Sequence, residues 1–130
     1  MKYISDEDKM RVALGEAKKA YDIDEVPVGA AIFDKDNNLI CANHNRRELD
    51  QNPISHAEIL VLEEASQILG TWRHEDATIA VTLEPDAMCA GAILNSRIRK
   101  LIYAAPNLKA GAAYSYIISH KILGLTIMSR

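Results

Sequence analysis

The sequence predicts an α/β protein: a three-layer α/β/α sandwich built on one five-stranded mixed sheet. Three observations carry that expectation. Apolar residues at helical spacing alternate with short β-rich runs, in the order α-β-β-α-β-α-β-α-β. The connections between them are short, with no internal repeat, low-complexity tract or linker. The 130 residues, about half of them apolar and a quarter charged, suit one domain spanning 1–130 and not two.

The first helix is expected from about Asp6 to Tyr21, because Met10, Ala13, Leu14, Ala17, Ala20 and Tyr21 recur at helical spacing. Ser5 with Asp8 three residues on reads as an N-cap pair. Pro27 closes off any helix before a small-residue apolar strand, Val28 to Phe33. The polar run Asp34-Lys35-Asp36-Asn37-Asn38 is a dense turn signal, so Leu39 to Asn43 becomes the hairpin partner of that strand. Ser55-His56-Ala57-Glu58 opens a second helix, with Ser55 as cap and Glu58 at the third helical position. Its buried stripe is expected to be Ala57, Leu60, Val61, Ala65, Ile68 and Leu69, and Gly70 stops it. A strand over Thr78 to Leu83 follows, then Pro85-Asp86 and a helix over Ala87 to Asn95. Lys100 to Ala104 reads as the next strand. A Gly/Ala loop, a helical stretch over Tyr114 to His120 and a strand over Leu125 to Ser129 complete the order.

Composition limits the function classes. The longest apolar runs are too short for a membrane-spanning helix, and the N-terminus turns acidic with no hydrophobic signal stretch. A cytoplasmic protein with no membrane partner is expected. The two cysteines, Cys41 and Cys89, then read as thiols or metal ligands before they read as a disulfide. A formal net charge of −3 gives no global attraction for nucleic acid. Arg46, Arg47, Arg97, Arg99, Lys100 and Lys109 allow a local basic face, though solvated surface charge is the simpler reading of them and is preferred.

The chemistry-bearing residues gather at two helix starts. His56 opens the second helix, and Asp86 and Cys89 flank the start of the third, three apart and so on one face. Two helix N-termini converging on one crevice would create a positive potential suited to thiolate and carboxylate groups. Glu58 is the natural acid/base. Residues two apart on an ideal helix point about 200° away from each other, so His56 and Glu58 can serve one site only if His56 precedes the regular helix. Taken singly these signals are weak: a His-x-Glu pair arises by chance, and a lone cysteine is more often a small buried hydrophobe.

The whole string is more specific. His56-Ala57-Glu58 is followed by Thr82-Leu83-Glu84-Pro85-Asp86-Ala87-Met88-Cys89-Ala90-Gly91-Ala92-Ile93. Around it stand Glu25-Val26-Pro27-Val28-Gly29-Ala30, Pro53, Ser96-Arg97-Ile98, and Tyr103-Ala104 leading to Lys109-Ala110-Gly111. The chain resembles the zinc nucleobase deaminases, with their H-x-E…P-C-x-x-C signature and cytidine-deaminase-like fold, and most nearly their tRNA adenosine deaminase branch. The resemblance runs from the first helix to about Ser115. It implies zinc bound by His56, Asp86 and Cys89, and Glu58 as the proton shuttle. It also implies that Asn45 hydrogen-bonds the base, Val28 packs against it, and the Ala57 and Asp86 amides face the reacting centre. The implied reaction is hydrolysis of adenosine to inosine at the wobble position of a tRNA anticodon stem-loop, by a homodimer.

Two departures from the pattern keep alternatives open. Asp86 stands where the family has cysteine. Aspartate binds zinc through oxygen at roughly 2.0–2.2 Å against roughly 2.3 Å for sulfur, and the formal ligand charge is unchanged. The resembling family also continues with a further, often basic, helix after the last strand, and the expectation here is that this helix is absent. One alternative is therefore a deaminase of a small free nucleobase or nucleoside. The other is a catalytically impaired homologue acting as a binding partner. Cys41 is expected to be a buried structural thiol, Trp72 a packing plug, and His44, His74 and His120 isolated and exposed. Tyr114 and Tyr116 suit packing and RNA contact equally.

Overall fold

The protein is described by a computed structural model covering residues 2–111 and the backbone of Thr126–Ser129. Helix α1 spans Asp6–Asp22 and strands β1 and β2 span Gly29–Phe33 and Leu39–His44. The short helix α2 (Arg47–Asp50) and helix α3 (Ala57–Leu69) precede β3 (Thr78–Leu83), α4 (Ala87–Asn95), β4 (Lys100–Ala105) and β5 (Thr126–Ser129). The expected helix over Tyr114 to His120, with Tyr114, Tyr116 and His120, lies outside the described residues.

The strands form one sheet in the order β2-β1-β3-β4-β5. β1 runs antiparallel to both β2 and β3, whereas β3, β4 and β5 are mutually parallel. The sheet is thus mixed, its antiparallel part made by the opening hairpin. Side chains alternate along the central strands. Ala30, Ile32, Ile79 and Val81 join one apolar cluster with Val61 and Ala65 of α3 and Ile93 and Leu94 of α4. Ala31, Phe33 and Ala80 join a second with Met10 and Ala13 of α1. Helix α1 covers one face and α3 and α4 cover the other, which explains why β1 is buried along its whole length.

Helix α1 starts as expected, with Ser5 Oγ accepting the Asp8 amide at 3.0 Å and Asp6, Glu7 and Asp8 in the positive first turn. It lies very close to β1. A Cβ at Gly29 would stand 2.0 Å from the Ala13 carbonyl oxygen and 2.5 Å from the Ala17 nitrogen, so a residue without a side chain is required there. The Gly29 amide donates to Thr82 Oγ1 at 3.1 Å, fixing β1 against the end of β3.

Several expectations are corrected. Helix α3 begins one residue later than predicted, with His56 as its N-cap and not Ser55. Ser55 is buried and its hydroxyl binds the Asp50 carboxylate at 3.2 Å, so it is committed elsewhere. Ile68 and Leu69 have the spacing of a buried stripe, but the last turn is open and they are 60% and 44% exposed. Helix α2 is too short to show periodicity in sequence. It is held by a distant group: the buried Glu25 carboxylate accepts the Glu48 and Leu49 amides at 3.2 and 2.7 Å. Among the described residues no helix is long and apolar enough to cross a membrane.

Candidate metal centre and active site

Two helix starts meet on one side of the sheet. Strand β2 leads through Asn45 and α2 to the start of α3, and β3 leads through Glu84-Pro85 to the start of α4. His56 sits at the α3 N-cap in extended conformation (φ −77°, ψ 149°), outside the helical periodicity. That resolves the angular conflict with Glu58, which lies within the helix. Asp86 is the α4 N-cap, and its Oδ1 accepts the Cys89 amide at 2.9 Å.

The candidate ligand atoms converge. His56 Nδ1 lies 3.5 Å from Cys89 Sγ and 3.6 Å from Asp86 Oδ2, and one ligand atom from each residue falls within 4.8 Å of the others. Tetrahedral zinc with ordinary bond lengths holds its ligand atoms roughly 3.4–3.7 Å apart, so the two His56 distances fit such an ion. The chemistry of the donor set agrees. Cys89 is fully buried, and burial, followed by the charges of Glu58 and Asp86, pushes its thiol up. Burial pushes Glu58 up to about 7, with the Asp86 charge adding to the effect. Its Oε1 is buried without a hydrogen-bond partner among the described residues. A thiol and two carboxylates packed together in this way are relieved by a cation. The residues therefore fit a bound divalent metal.

A cavity of about 130 Å³ opens on the cluster, lined by His56, Glu58 and Asp86 together with Val28, Asn45 and Glu84. Its size suits one base-sized group, well under the ~300–1,000 Å³ of sites for larger ligands. Val28 is buried at this cavity. Asn45 does something the sequence did not suggest. Its Oδ1 accepts the Ala57 amide at 2.9 Å, so it caps α3 from the end of β2 in place of the local residue. The Ala57 amide, expected to face the reacting centre, is engaged by Asn45. The amide nitrogen of Asn45 is left for the cavity that Asn45 lines.

Sequence reasoning gave no supporting role to Glu25, Glu84 or Asn107, and left Arg47 by default as a solvated loop residue. Arg47, Glu84 and Asn107 line the same cavity, and Glu84 Oε1 accepts the Asn107 amide at 3.3 Å, joining the loop after β4 to the site. Only their nearness in sequence to Asn45 and Asp86 could have flagged Arg47 and Glu84. Cys41 lies apart, buried, its thiol donating to the Val61 carbonyl at 3.3 Å and pushed up to about 12 by burial. His44 and His74 are not isolated: His44 Nδ1 lies 3.1 Å from Glu16 Oε1, and His74, 3% exposed, meets Ser66 Oγ at 3.0 Å. Trp72 is no plug. It is 55% exposed, with the Arg73 and Arg97 guanidinium carbons 5.2 and 6.0 Å from its ring.

The chain belongs to the MafB19-like deaminase family, whose sequence pattern matches residues 4–129. Within that class it is similar to the tRNA-specific adenosine deaminase of Bacillus subtilis (strain 168), 48% identical over 108 residues, or 83% of this chain. The chain spans 66% of that relative's length. It is also similar to a tRNA:A34 deaminase solved in a study of A-to-I editing at the tRNA wobble position. That likeness has a TM-score of 0.88 and 36% identity, covering 94% of this chain and 96% of the other. A guanine deaminase from Nitrosomonas europaea matches with a TM-score of 0.86 and 25% identity, covering 96% of this chain and 76% of the other.

Proposed function

We propose that the protein is a zinc-dependent hydrolase that deaminates adenosine to inosine at the wobble position of a tRNA anticodon, working as a cytoplasmic homodimer. The observation that carries the reading is the convergence of His56 Nδ1, Cys89 Sγ and Asp86 Oδ2 beside the buried Glu58 carboxylate. The names of the B. subtilis relative and of the tRNA:A34 deaminase support the substrate class.

His56, Asp86 and Cys89 hold the metal. When bound, zinc supplies the Lewis-acid activation that makes water a nucleophile at neutral pH. Glu58 moves two protons in turn: it takes one from the attacking water and passes it to the purine ring nitrogen, then takes the second from the hydroxyl now on C6 and delivers it to the departing amine. Water and adenosine become inosine and ammonia. A carboxylate raised to about 7 is well matched to taking and giving a proton near neutrality. Val28 packs on the base, and the Asn45 amide group hydrogen-bonds its edge while Asn45 Oδ1 holds α3 in place.

Glu58→Gln tests this. Inosine formation on an anticodon stem-loop should fall by about 10²-fold or more, because general acid–base catalysis contributes at least that, with fold and bound zinc retained. A loss below tenfold would overturn the role of Glu58. A second reading, deamination of a free base of the guanine type, is favoured by the base-sized cavity and the likeness to the N. europaea enzyme. Ammonia released from free bases but not from the stem-loop would favour it. Zinc bound without either activity would favour an impaired homologue.

A further inference from the structure

The position that the resemblance gives to a cysteine ligand is held here by Asp86, and the two oxygens of that carboxylate do different work. Oδ1 accepts the Cys89 amide at 2.9 Å and so closes the first turn of α4. Oδ2 lies 3.6 Å from His56 Nδ1, and an oxygen of this carboxylate falls within 4.8 Å of the candidate ligand atoms of both His56 and Cys89. The extended backbone at Asp86 (φ −75°, ψ −177°) lets one side-chain conformation meet both demands. The buried Glu58 carboxylate, with its unpartnered Oε1, lines the same cavity and independently marks it as a place for a cation or a reacting group.

We propose that Asp86 is a divided ligand: Oδ1 stays committed to the helix start, and Oδ2 alone takes the metal. This rests on the reading of the cluster as the zinc site. It gives a set of one nitrogen, one oxygen and one thiolate. A cysteine at this position could do only half of the work. Its sulfur would serve as a ligand, but sulfur is a weak acceptor for the Cys89 amide. The aspartate therefore exchanges a soft donor for a hard one and gains a helix cap. A site with one thiolate should favour zinc and cobalt less strongly over harder ions than a site with two.

Two variants of the whole chain separate the roles. Asn is as good an N-cap as Asp but lacks the anionic oxygen, so Asp86→Asn keeps the cap and removes the charged ligand. Asp86→Cys does the reverse. Each is reconstituted with Co(II) and Zn(II), and its metal-free melting temperature is measured. Asp86→Asn should melt with the parent when metal-free yet bind zinc ~10-fold or more weakly, as losses at metal-supporting groups reach that size. Asp86→Cys should melt lower when metal-free, hold zinc at least as tightly, and show about twice the sulfur-to-cobalt charge-transfer intensity, one thiolate having become two. Asp86→Asn binding both ions like the parent, while His56→Ala loses them, would sink the divided ligand and leave the zinc reading standing. An unchanged charge-transfer band in Asp86→Cys would do the same. A parent that takes up no stoichiometric metal would remove both.

Discussion

Asn45→Ala should unfold the protein more easily by an amount the structure allows one to work out. Asn45 and Ala57 are both buried, and the 2.9 Å bond between Asn45 Oδ1 and the Ala57 amide joins the end of β2 to the start of α3. Alanine leaves that amide donor buried and unsatisfied. Such a loss costs about 1–3 kcal/mol, and at about 3–5 °C per kcal/mol for a domain of this size a 2 kcal/mol loss lowers Tm by roughly 6–10 °C. Urea denaturation of the metal-free protein measures it without interference from the ion. Asn43→Ala, two residues earlier, is the control. It removes a contact with the partly exposed Glu64 and the acceptor of the part-buried His44 amide at 2.8 Å, and should cost about 1 kcal/mol. Asn45→Ala losing under about 0.5 kcal/mol, or no more than Asn43→Ala, would refute the borrowed cap. If the cap is real, His56 is displaced as well, and zinc affinity falls in the same variant.

Gly29→Ala should destabilise by about 3 kcal/mol or more, because the new Cβ meets helix backbone, which cannot swing aside; a denaturation midpoint close to the parent's would contradict that packing. Glu16 is pulled in opposite directions, burial raising its carboxyl while Lys19 and His44 lower it further, so its folded value ends below the ordinary one. Its stabilising contribution is thus complete above about pH 4.5 and fades as pH falls through the lower folded value. Glu16→Gln should flatten the acid limb of a Tm-against-pH curve, and an unaltered limb would remove the assignment. Cys41, buried and pushed up to about 12, should resist iodoacetamide at pH 8 in the native protein and react once urea unfolds it; rapid native labelling at Cys41 would show the thiol to be accessible.

Much of this architecture could be read from local pattern. The bounds of β3 and α4 fall where turn residues and β-branched runs place them, at Thr78–Leu83 and Ala87–Asn95. The cluster was legible too, since His56, Asp86 and Cys89 all mark helix starts and helix starts are written locally. What failed depends on long-range partners. Ser55 has the chemistry of a cap, but Asp50 claims its hydroxyl. His44 and His74 look like scattered surface residues until Glu16 and Ser66, 28 and 8 positions away, are folded against them. Ile68 and Leu69 continue the apolar spacing of α3 past the point where anything covers it. Glu25 gives no hint in sequence that its carboxylate anchors a helix more than 20 residues on.

The borrowed cap on α3 makes the two arms of the site unequal in how they are assembled. Asp86 and Cys89 are aligned by a bond spanning three residues, which exists as soon as one turn of α4 exists. His56 has no capping bond of its own, and the helix behind it is secured by Asn45 across twelve positions. Its imidazole is spared for other duties, yet its placement depends on β2 docking against α3. The carboxylate–thiol half is therefore fixed by contacts within one helix turn, whereas the imidazole is placed by contacts between distant elements. A change that lifts β2 from α3 would remove the support of the nitrogen donor and leave the Asp86–Cys89 bond intact.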